Sequence, residues 1–448
     1  MLVERAASPR LFRALLLAGL ILRAAGLPLR GTDDMNVWKL WTHEASTSLS
    51  TMYGVGGDPP ERAVLVWGRR SGTVEYPPFA LYALGAVGHV YRAVDPYYTD
   101  GVWLTVAVKL AILLGDAGVC VALWALMRRS SETVARTAVL FYWLNPAAIL
   151  DGAVLGYLDP WLGALTLASL VALDRGRYVW AGVALALTAL TKLQIALILP
   201  AVALVLFHSA PRDRLLGASA KAALGALVTT AVVLAPFIRI GALPNLLQGA
   251  GRAFHHDMLS AEALNVWWIV TWILRSAWTT PVRILGISRM IDLGYPNPRL
   301  IGTALGGGAM LWAFWRARHG PLPIVLAAGA CAIHAYTLFS VQVHENHFYL
   351  ALPLMAAAGA ALPAMRAPYA LASALCLLNL LLFQGLGHDF GLPPRMITIV
   401  DVTVLLSFVN LGAFVWHARR FARVASDEAA RPAAVDRDRH AAHVRRGG

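Results

Sequence analysis

The stretch Gly101–Leu126 reads GVWLTVAVKLAILLGDAGVCVALWAL, and its only charged residues are Lys109 and Asp116. An apolar helix of about 20 residues is long enough to cross a bilayer core of roughly 30 Å. Comparable stretches recur at Leu11–Leu27, Leu216–Phe237, Leu322–Ser340 and Ile397–Trp416. A chain of 448 residues that is 58% hydrophobic and 14% charged has too much apolar surface for a soluble domain. The sequence therefore predicts a polytopic helical membrane protein.

Arginine clusters at the ends of the apolar stretches indicate how the chain is oriented in the membrane. Arg5, Arg10 and Arg13 precede the first stretch and place the N-terminus in the cytoplasm. Further clusters follow at Arg128/Arg129/Arg136, Arg175/Arg177, Arg212/Arg214, Arg316/Arg318, Arg366 and Arg419/Arg420/Arg423. If all of them are cytoplasmic, the spans between them occur in pairs. The net charge of +13 then reflects membrane orientation, and we expect no nucleic-acid partner.

The requirement for an even number of spans between cytoplasmic arginine clusters also assigns two ambiguous apolar segments. Counting residues 76–93 or Leu264–Leu274 as spans would move later arginine clusters outside, so both are predicted to be interfacial helices. The predicted fold is an all-α integral membrane protein with about 12 transmembrane helices, two long external loops and both termini in the cytoplasm. The predicted domains are a cytoplasmic N-terminus at 1–10, a transmembrane domain at 11–417 with external loops at about 28–100 and 238–298, and a disordered basic tail at 418–448. Composition favours a bacterial inner membrane, with the site facing the periplasm.

Polar residues collect at the span ends that this topology places outside. Ionisable groups at membrane depth are costly and often mark functional sites. The candidate site residues are Asp33, Asp34, Glu75, Tyr76, Asp151, Asp159, Lys192, Gln194, Arg252, Asn265, His344, Glu345 and His347. A plain interfacial-loop role is the alternative for each of them, and helix capping is a further alternative for Asp151 and for Asn145.

Cysteine and histidine spacing argues against a metal centre or a disulfide framework. Cys120, Cys331 and Cys376 lie in apolar runs with no paired spacing. The adjacent residues 255–257, His-His-Asp, resemble a metal cluster only superficially, because neighbouring histidines on a loop are more often solvated. We therefore predict no metal site and no cofactor, although the first-loop carboxylates could bind a divalent ion.

Short motifs in these loops resemble the GT-C superfamily of polytopic membrane glycosyltransferases, which use polyprenyl-phosphate sugars. The nearest likeness is to the dolichyl-phosphate-glucose-dependent glucosyltransferases and their bacterial relatives. The motifs are Asp34 followed by Trp38 and Trp41, Glu75-Tyr-Pro-Pro78, Asn145-Pro146 with Asp151 and Asp159, Thr191-Lys-Leu-Gln194, Asn265-Val-Trp-Trp268 and Val343-His-Glu345. Tyr157 and Leu193 depart from the family's Gln and Pro. The order of six elements, all on the predicted external side, carries the resemblance.

The resemblance implies a GT-C-like fold and an inverting hexosyltransferase that moves a hexose from a polyprenyl-phosphate donor to a lipid-linked or glycan acceptor. Asp34 would deprotonate the acceptor, and it is favoured over Asp33 because its spacing to the tryptophans matches the family. Lys192 would contact the leaving phosphate, with Arg252 and His344 behind it. The residues that would orient acceptor hydroxyls or the base are Glu75, Asp159, Glu345 and His347.

Other functions remain open at this point. A protein O-mannosyltransferase or a lipid A-type sugar transferase would need a similar set of residues. A lipid or sugar transporter is the non-enzymatic alternative, because bundles with intramembrane acids also suit alternating access. No internal repeat is evident, and polar residues gathered on one face favour surface chemistry over a midplane pathway. The predicted partners are the polyprenyl-phosphate sugar donor, the lipid-linked or glycan acceptor, and membrane lipids.

Overall fold

A computed structural model describes residues 8–56, 63–252, 256–278, 297–397 and 400–446. These residues are predominantly helical, which confirms the all-α prediction. The helices are α1 Pro9–Gly26, α2 Asp34–Ser48, α3 Pro78–Val94, α4 Val102–Met127, α5 Glu132–Trp143, α6 Pro146–Ile149, α7 Asp159–Asp174, α8 Tyr178–Ala189, α9 Leu199–Ser209, α10 Leu215–Arg239, α11 Leu243–Arg252, α12 Val266–Trp278, α13 Pro298–Ala317, α14 Leu322–Phe339, α15 Ala351–Ala361, α16 Arg366–Gln384 and α17 Val402–Arg446.

Two short antiparallel hairpins accompany the helices. Strands β1, Leu65–Trp67, and β2, Arg70–Gly72, pair in the first long loop, with Leu65 opposite Gly72. Strands β3, Met396–Ile397, and β4, Val400–Asp401, pair just before α17. Neither hairpin was predicted, because each strand is too short to show an alternating pattern in the sequence.

Proline and polar caps determine where many of the helices begin. Proline occupies the first turn of α1, α3, α6, α7 and α13, where its missing N–H costs no helical hydrogen bond. The Ser131 side chain accepts a hydrogen bond from Val134 N (3.1 Å) at the start of α5, and Asn145 accepts one from Ala147 N (2.9 Å) at the start of α6. The capping role was proposed for Asn145 and Asp151 alike, and the structure shows it for Asn145.

Fewer helices among the described residues are able to cross a membrane than the sequence predicts. Among the described residues, five helical segments are long and apolar enough to cross a bilayer. They are Val102–Met127, Arg212–Arg239, Leu322–Phe339, Pro363–Gln384 and Val402–Ala430. The pair Glu132–Trp143 and Pro146–Leu155, bent by 52°, would make a sixth crossing as one broken span. The predicted twelve spans are therefore not confirmed, because several apolar stretches fold as helices of 10–17 residues.

A buried ion pair explains the charges inside two of the apolar stretches. Arg23 of α1 donates from Nε to Asp116 Oδ2 of α4 at 2.9 Å and from Nη1 to Trp143 O at 2.6 Å. Its guanidinium carbon also lies 3.9 Å from the centroid of the Trp143 ring. The Tyr142 hydroxyl donates to the other Asp116 oxygen. Asp116 is thus a satisfied structural acid.

Helices α8 and α10 pack unusually closely because glycines face the contact. A Cβ on Gly182 would overlap the carbonyl oxygen of Ala222, and one on Gly225 would overlap that of Val179. Small residues at such positions let helix backbones approach in membranes.

The C-terminal residues differ from the prediction. A disordered tail is predicted at 418–448, whereas α17 continues as a helix through Arg446. The abundance of Ala and Arg in this segment, with glycine only at positions 447 and 448, is compatible with a helix extended from an apolar span.

Candidate functional site

Four chain segments meet at the ends of the helices and build one polar cluster. Thr32 N, just before α2, donates to Leu155 O (3.1 Å) in the π-helical turn Leu150–Leu155. Trp38 Nε1 of α2 donates to Gly156 O (3.0 Å). Phe79 N at the start of α3 donates to Leu190 O (2.8 Å), which joins the first loop to the turn after α8. These bonds position the acidic residues of α2 beside those of the later turns.

A glycine is required where α2 crosses the π-helical turn. Gly156 has φ +86°, and an added Cβ would overlap the sulfur of Met35. Lys109 of α4 supports the same crossing, because its Nζ donates to Leu29 O (2.7 Å), Val154 O (2.6 Å) and Gly26 O (3.3 Å). Lys109 was not among the predicted site residues, since nothing in an apolar stretch shows which backbone a lysine will meet.

Lys192 and Asp159 form the central ion pair of the cluster. Lys192 Nζ lies 2.7 Å from Asp159 Oδ1, and Asn346 Nδ2 donates to Asp159 Oδ2 at 2.8 Å. The two charged side chains are only 12% and 3% exposed. Burial alone would lower the pKa of Lys192, but the nearby charge of Asp159, together with Tyr76, raises it above its ordinary value. Lys192 is therefore a cation that is already matched to a carboxylate.

Asp34 lies half-buried at the first turn of α2. Burial raises its pKa to about 6, an effect that Lys192 opposes and that Asp159 and Asp33 reinforce. None of the described residues donates a hydrogen bond to its carboxylate. Asp33 instead points outward with an 89% exposed side chain, and its Oδ1 pairs with His388 Nε2 at 3.0 Å. The structure thus places Asp34 inside the cluster and Asp33 at its edge.

Glu345 approaches the cluster from the loop after α14. Its Oε1 accepts hydrogen bonds from the Tyr157 hydroxyl and from Gln384 Nε2 (3.2 Å). Burial raises the pKa of Glu345 to about 7, although the Tyr157 hydrogen bond opposes the shift. Sequence reasoning treated Tyr157 as a departure from a motif and missed Gln384 and Asn346, because residues distant in the chain give no local signal of their meeting.

Asp151 is the deepest acid of the set. It is fully buried on the π-helical turn, and neither of its carboxylate oxygens has a hydrogen-bond partner among the described residues. Asp159, Lys192 and Glu345 lie close enough to interact with it electrostatically. Single π-helical turns occur frequently at functional sites. A buried carboxylate without a partner is costly and calls for a functional explanation.

Three aromatic rings cover one side of the cluster. Trp38 and Trp41 have ring centroids 5.0 Å apart, and the Tyr76 ring lies 5.2 Å from Trp38 and 5.6 Å from Trp41. Lys192 Nζ is 5.8 Å from the Tyr76 centroid. Asp34, Trp38 and Trp41 are spaced so that they share one face of α2, and the two indole rings pack against each other there.

The remaining predicted residues lie around this centre. His256 Nε2 is 3.5 Å from Glu75 Oε2, and the His344 and His347 rings are 5.3 Å apart. Burial, with His344 and Lys192 nearby, lowers the pKa of His347 well below its ordinary value, so this ring is neutral.

Three other predicted residues have different outcomes. The Oε1 atom of Gln194 is buried without a partner among the described residues. Asn265 Oδ1 accepts a hydrogen bond from Trp268 N (2.9 Å), which is a capping role at α12. The side chain of Arg252 lies outside the described part of the chain. No group of three or more His, Cys, Asp or Glu residues able to hold a metal ion occurs in the part of the chain that the structure describes.

One family model matches part of this chain. Residues 70–268 match the model described as PIG-U, GPI transamidase subunit PIG-U, and they make up less than half of the 448 residues. No curated protein matches the chain. The matched region contains Tyr76, Asp151, Asp159 and Lys192, whereas Asp34 and Glu345 lie outside it.

This match contradicts the functional part of the sequence analysis. PIG-U is a transamidase subunit and not a family of polyprenyl-phosphate-sugar glycosyltransferases. The GT-C resemblance, the hexosyltransferase activity, the alternative functions and the polyprenyl-phosphate donor are therefore wrong. The motifs were short, and polar residues at helix ends suit headgroup binding as well as sugar transfer. A multi-pass membrane protein is supported, but a bacterial inner membrane with a periplasmic site is not.

Proposed function

We propose that this chain is a PIG-U-like membrane subunit of a multiprotein assembly, in which it holds the polar headgroup of a glycosylphosphatidylinositol-type lipid. The chemistry of lipid attachment belongs to partner proteins in this proposal. The family match supports the subunit role, since PIG-U is described as part of a GPI transamidase. The lipid specificity is our inference from that description together with the cluster.

The observation that carries the proposal is the polar cluster at the helix ends. Buried Asp151 and Asp159, half-buried Asp34 and the buried cation Lys192 lie beside three packed aromatic rings. Such a mixture of hydrogen-bonding groups and aromatic faces suits a saccharide headgroup, whose hydroxyls need polar partners and whose ring faces are apolar. The long apolar helices around it would contact the acyl chains of the same lipid.

A lipid-binding measurement on the full chain tests this proposal. The protein is placed in nanodiscs, and quenching of tryptophan fluorescence is followed on addition of glycosylphosphatidylinositol or phosphatidylinositol with the same acyl chains. We expect the glycosylated lipid to bind at least about tenfold more tightly, which corresponds to about 1.4 kcal/mol. Asp34→Ala should remove this preference and Asp213→Ala, at an exposed position, should keep it. Equal affinity for the two lipids would contradict the headgroup role.

The subunit role has a separate test. Affinity purification of the tagged chain from its own membranes in mild detergent, followed by native electrophoresis, should give a complex that contains other proteins in fixed ratio. A chain that migrates alone under conditions that preserve other membrane complexes would count against this part of the proposal.

A further inference from the structure

The charges in the polar cluster are unbalanced. Asp34, Asp151 and Asp159 interact electrostatically with Lys192, and Glu345 interacts with Asp34 and Asp151. Among the described residues, Lys109 is also buried, but its ammonium group donates to the backbone oxygens of Gly26, Leu29 and Val154 and not to these acids. Asp159 already neutralises Lys192 at 2.7 Å. Arg23 is buried and paired with Asp116, so it does not compensate the other acids. His347 adds no positive charge, because it is neutral.

The cluster also contains hydrogen-bond acceptors that have no donor in the part of the chain that the structure describes. Both carboxylate oxygens of fully buried Asp151 lack a donor among the described residues, and so does the buried Oε1 of Gln194 on the turn that carries Lys192. The half-buried Asp34 carboxylate likewise receives no hydrogen bond from the described residues. The carboxylate and amide oxygens among these unpartnered atoms are all acceptors, whereas the buried Nε1 of Trp41 in the aromatic face is an unpartnered donor within the described ranges. A ligand that completes the site must bring donors, and an anionic phosphate brings none when it is ionised.

We propose that the cluster selects a headgroup that carries a primary ammonium group, with Asp34 as the first contact and Asp151 beneath it. This inference rests on the proposed headgroup-binding function and specifies which part of the lipid the site holds. An ammonium group supplies three donors and one positive charge, and both are missing from the cluster. The phosphate of the same lipid lies outside the cluster, because it would be repelled by the acids.

The expected binding depends on pH with a definite sign. Because the pKa values of Asp34 and Glu345 are raised to about 6 and about 7, both acids hold protons in part near neutral pH. An arriving cation favours their ionised forms, so affinity should rise as the pH increases from 5 to 7. The charged and titratable groups that interact with Asp34 are Asp33, Tyr76, Tyr157, Asp159, Lys192 and Glu345. Those that interact with Glu345 are Asp34, Asp151, Tyr157, Glu262 and His344.

Two lipids that differ only in the amine provide the test. Glucosaminyl-phosphatidylinositol and its N-acetyl derivative share phosphate, inositol and acyl chains, and binding of each to the full chain in nanodiscs is measured at pH 5, 6 and 7. We expect the free amine to bind about tenfold or more tightly at pH 7, since hydrogen bonds to charged groups contribute about 1.5–3 kcal/mol. The preference should shrink at pH 5. Asp34→Asn and Asp151→Asn should each reduce it, and Asp213→Asn should not.

The outcomes separate this inference from the function on which it rests. Equal binding of the two lipids, or tighter binding of the N-acetyl form, would overturn amine selection and leave headgroup binding intact. Binding of neither lipid would overturn both. Asp34→Asn lies at a half-buried position and keeps the size of the side chain, so its result decides the matter even if Asp151→Asn does not fold.

Discussion

Replacing Lys192 with methionine tests whether the Lys192–Asp159 pair holds the cluster together. Methionine keeps the length and the apolar stem of the side chain and removes the charge. Asp159 would remain, 3% exposed at its side chain, and among the described residues Asn346 would be its one remaining hydrogen-bond donor. Removing one partner of a buried ion pair costs about 3–5 kcal/mol, because it leaves an uncompensated buried charge. We therefore expect Lys192→Met to lower the free energy of unfolding by about 3 kcal/mol or more.

The double variant Lys192→Met/Asp159→Leu separates the ion pair from packing. Removing both charges leaves only the Asn346 amide without its acceptor, which costs about 1–3 kcal/mol. The double variant should therefore be more stable than Lys192→Met alone. Because the folded pKa of Lys192 is raised above its ordinary value of 10.5, the pair contributes fully at pH below 10.5 and weakens only at higher pH.

Unfolding by sodium dodecyl sulfate in mixed micelles, followed by far-UV circular dichroism, gives the required free energies. Lys221→Met, at an exposed position of α10, is the matched control and should change stability by less than about 0.5 kcal/mol. A loss below about 1 kcal/mol for Lys192→Met, or a double variant no more stable than the single one, would refute the reasoning.

Three further predictions concern other parts of the fold. Asp34→Asn should raise the unfolding free energy at pH 8 by about 1–2 kcal/mol and leave it unchanged at pH 4. Because the pKa of Asp34 is raised in the folded state, the wild-type protein loses stability as the pH rises from the ordinary pKa of 3.8 through about 6. A stabilisation independent of pH would contradict this cause. Glu345→Ala should lower stability by about 1–3 kcal/mol by leaving buried donors unpaired, and Glu345→Gln should restore part of it, as measured in the same detergent titration. Gly182→Ala should lower the melting temperature, because its Cβ would overlap the Ala222 carbonyl. Gly307→Ala, which has open space around it, should leave the melting temperature unchanged or raise it slightly. Equal effects of the two glycine variants would disprove the close α8–α10 contact.

Sequence reasoning located much of the candidate site because polar residues at membrane depth are rare. Asp34, Asp151, Asp159, Lys192 and Glu345 were all selected from the sequence, and the structure brings them together. The same reasoning assigned Lys192 to a phosphate, since a free cation beside a lipid headgroup normally has that role. The tertiary structure shows that Asp159 neutralises it.

Function was the least predictable property. The six short motifs describe which residue types stand at helix ends, and several membrane protein families place acids, aromatics and a lysine there. Their chemistry depends on which groups pair with one another and which stay free. Asn346, Gln384 and Lys109 decide that pairing, and each comes from a segment remote in the chain.

The sequence by itself determined that the chain is helical, lies in a membrane and gathers ionisable residues at the ends of its helices. These properties follow from composition and from apolar runs, because the free energy of transferring a side chain into lipid depends mainly on the side chain itself. Which apolar stretches form helices long enough to cross a membrane, and which partner each charge has, were decided only by the tertiary structure. A broken helix such as the α5–α6 pair, and a carboxylate such as Asp151 without a partner, result from packing between distant segments, which no local pattern specifies.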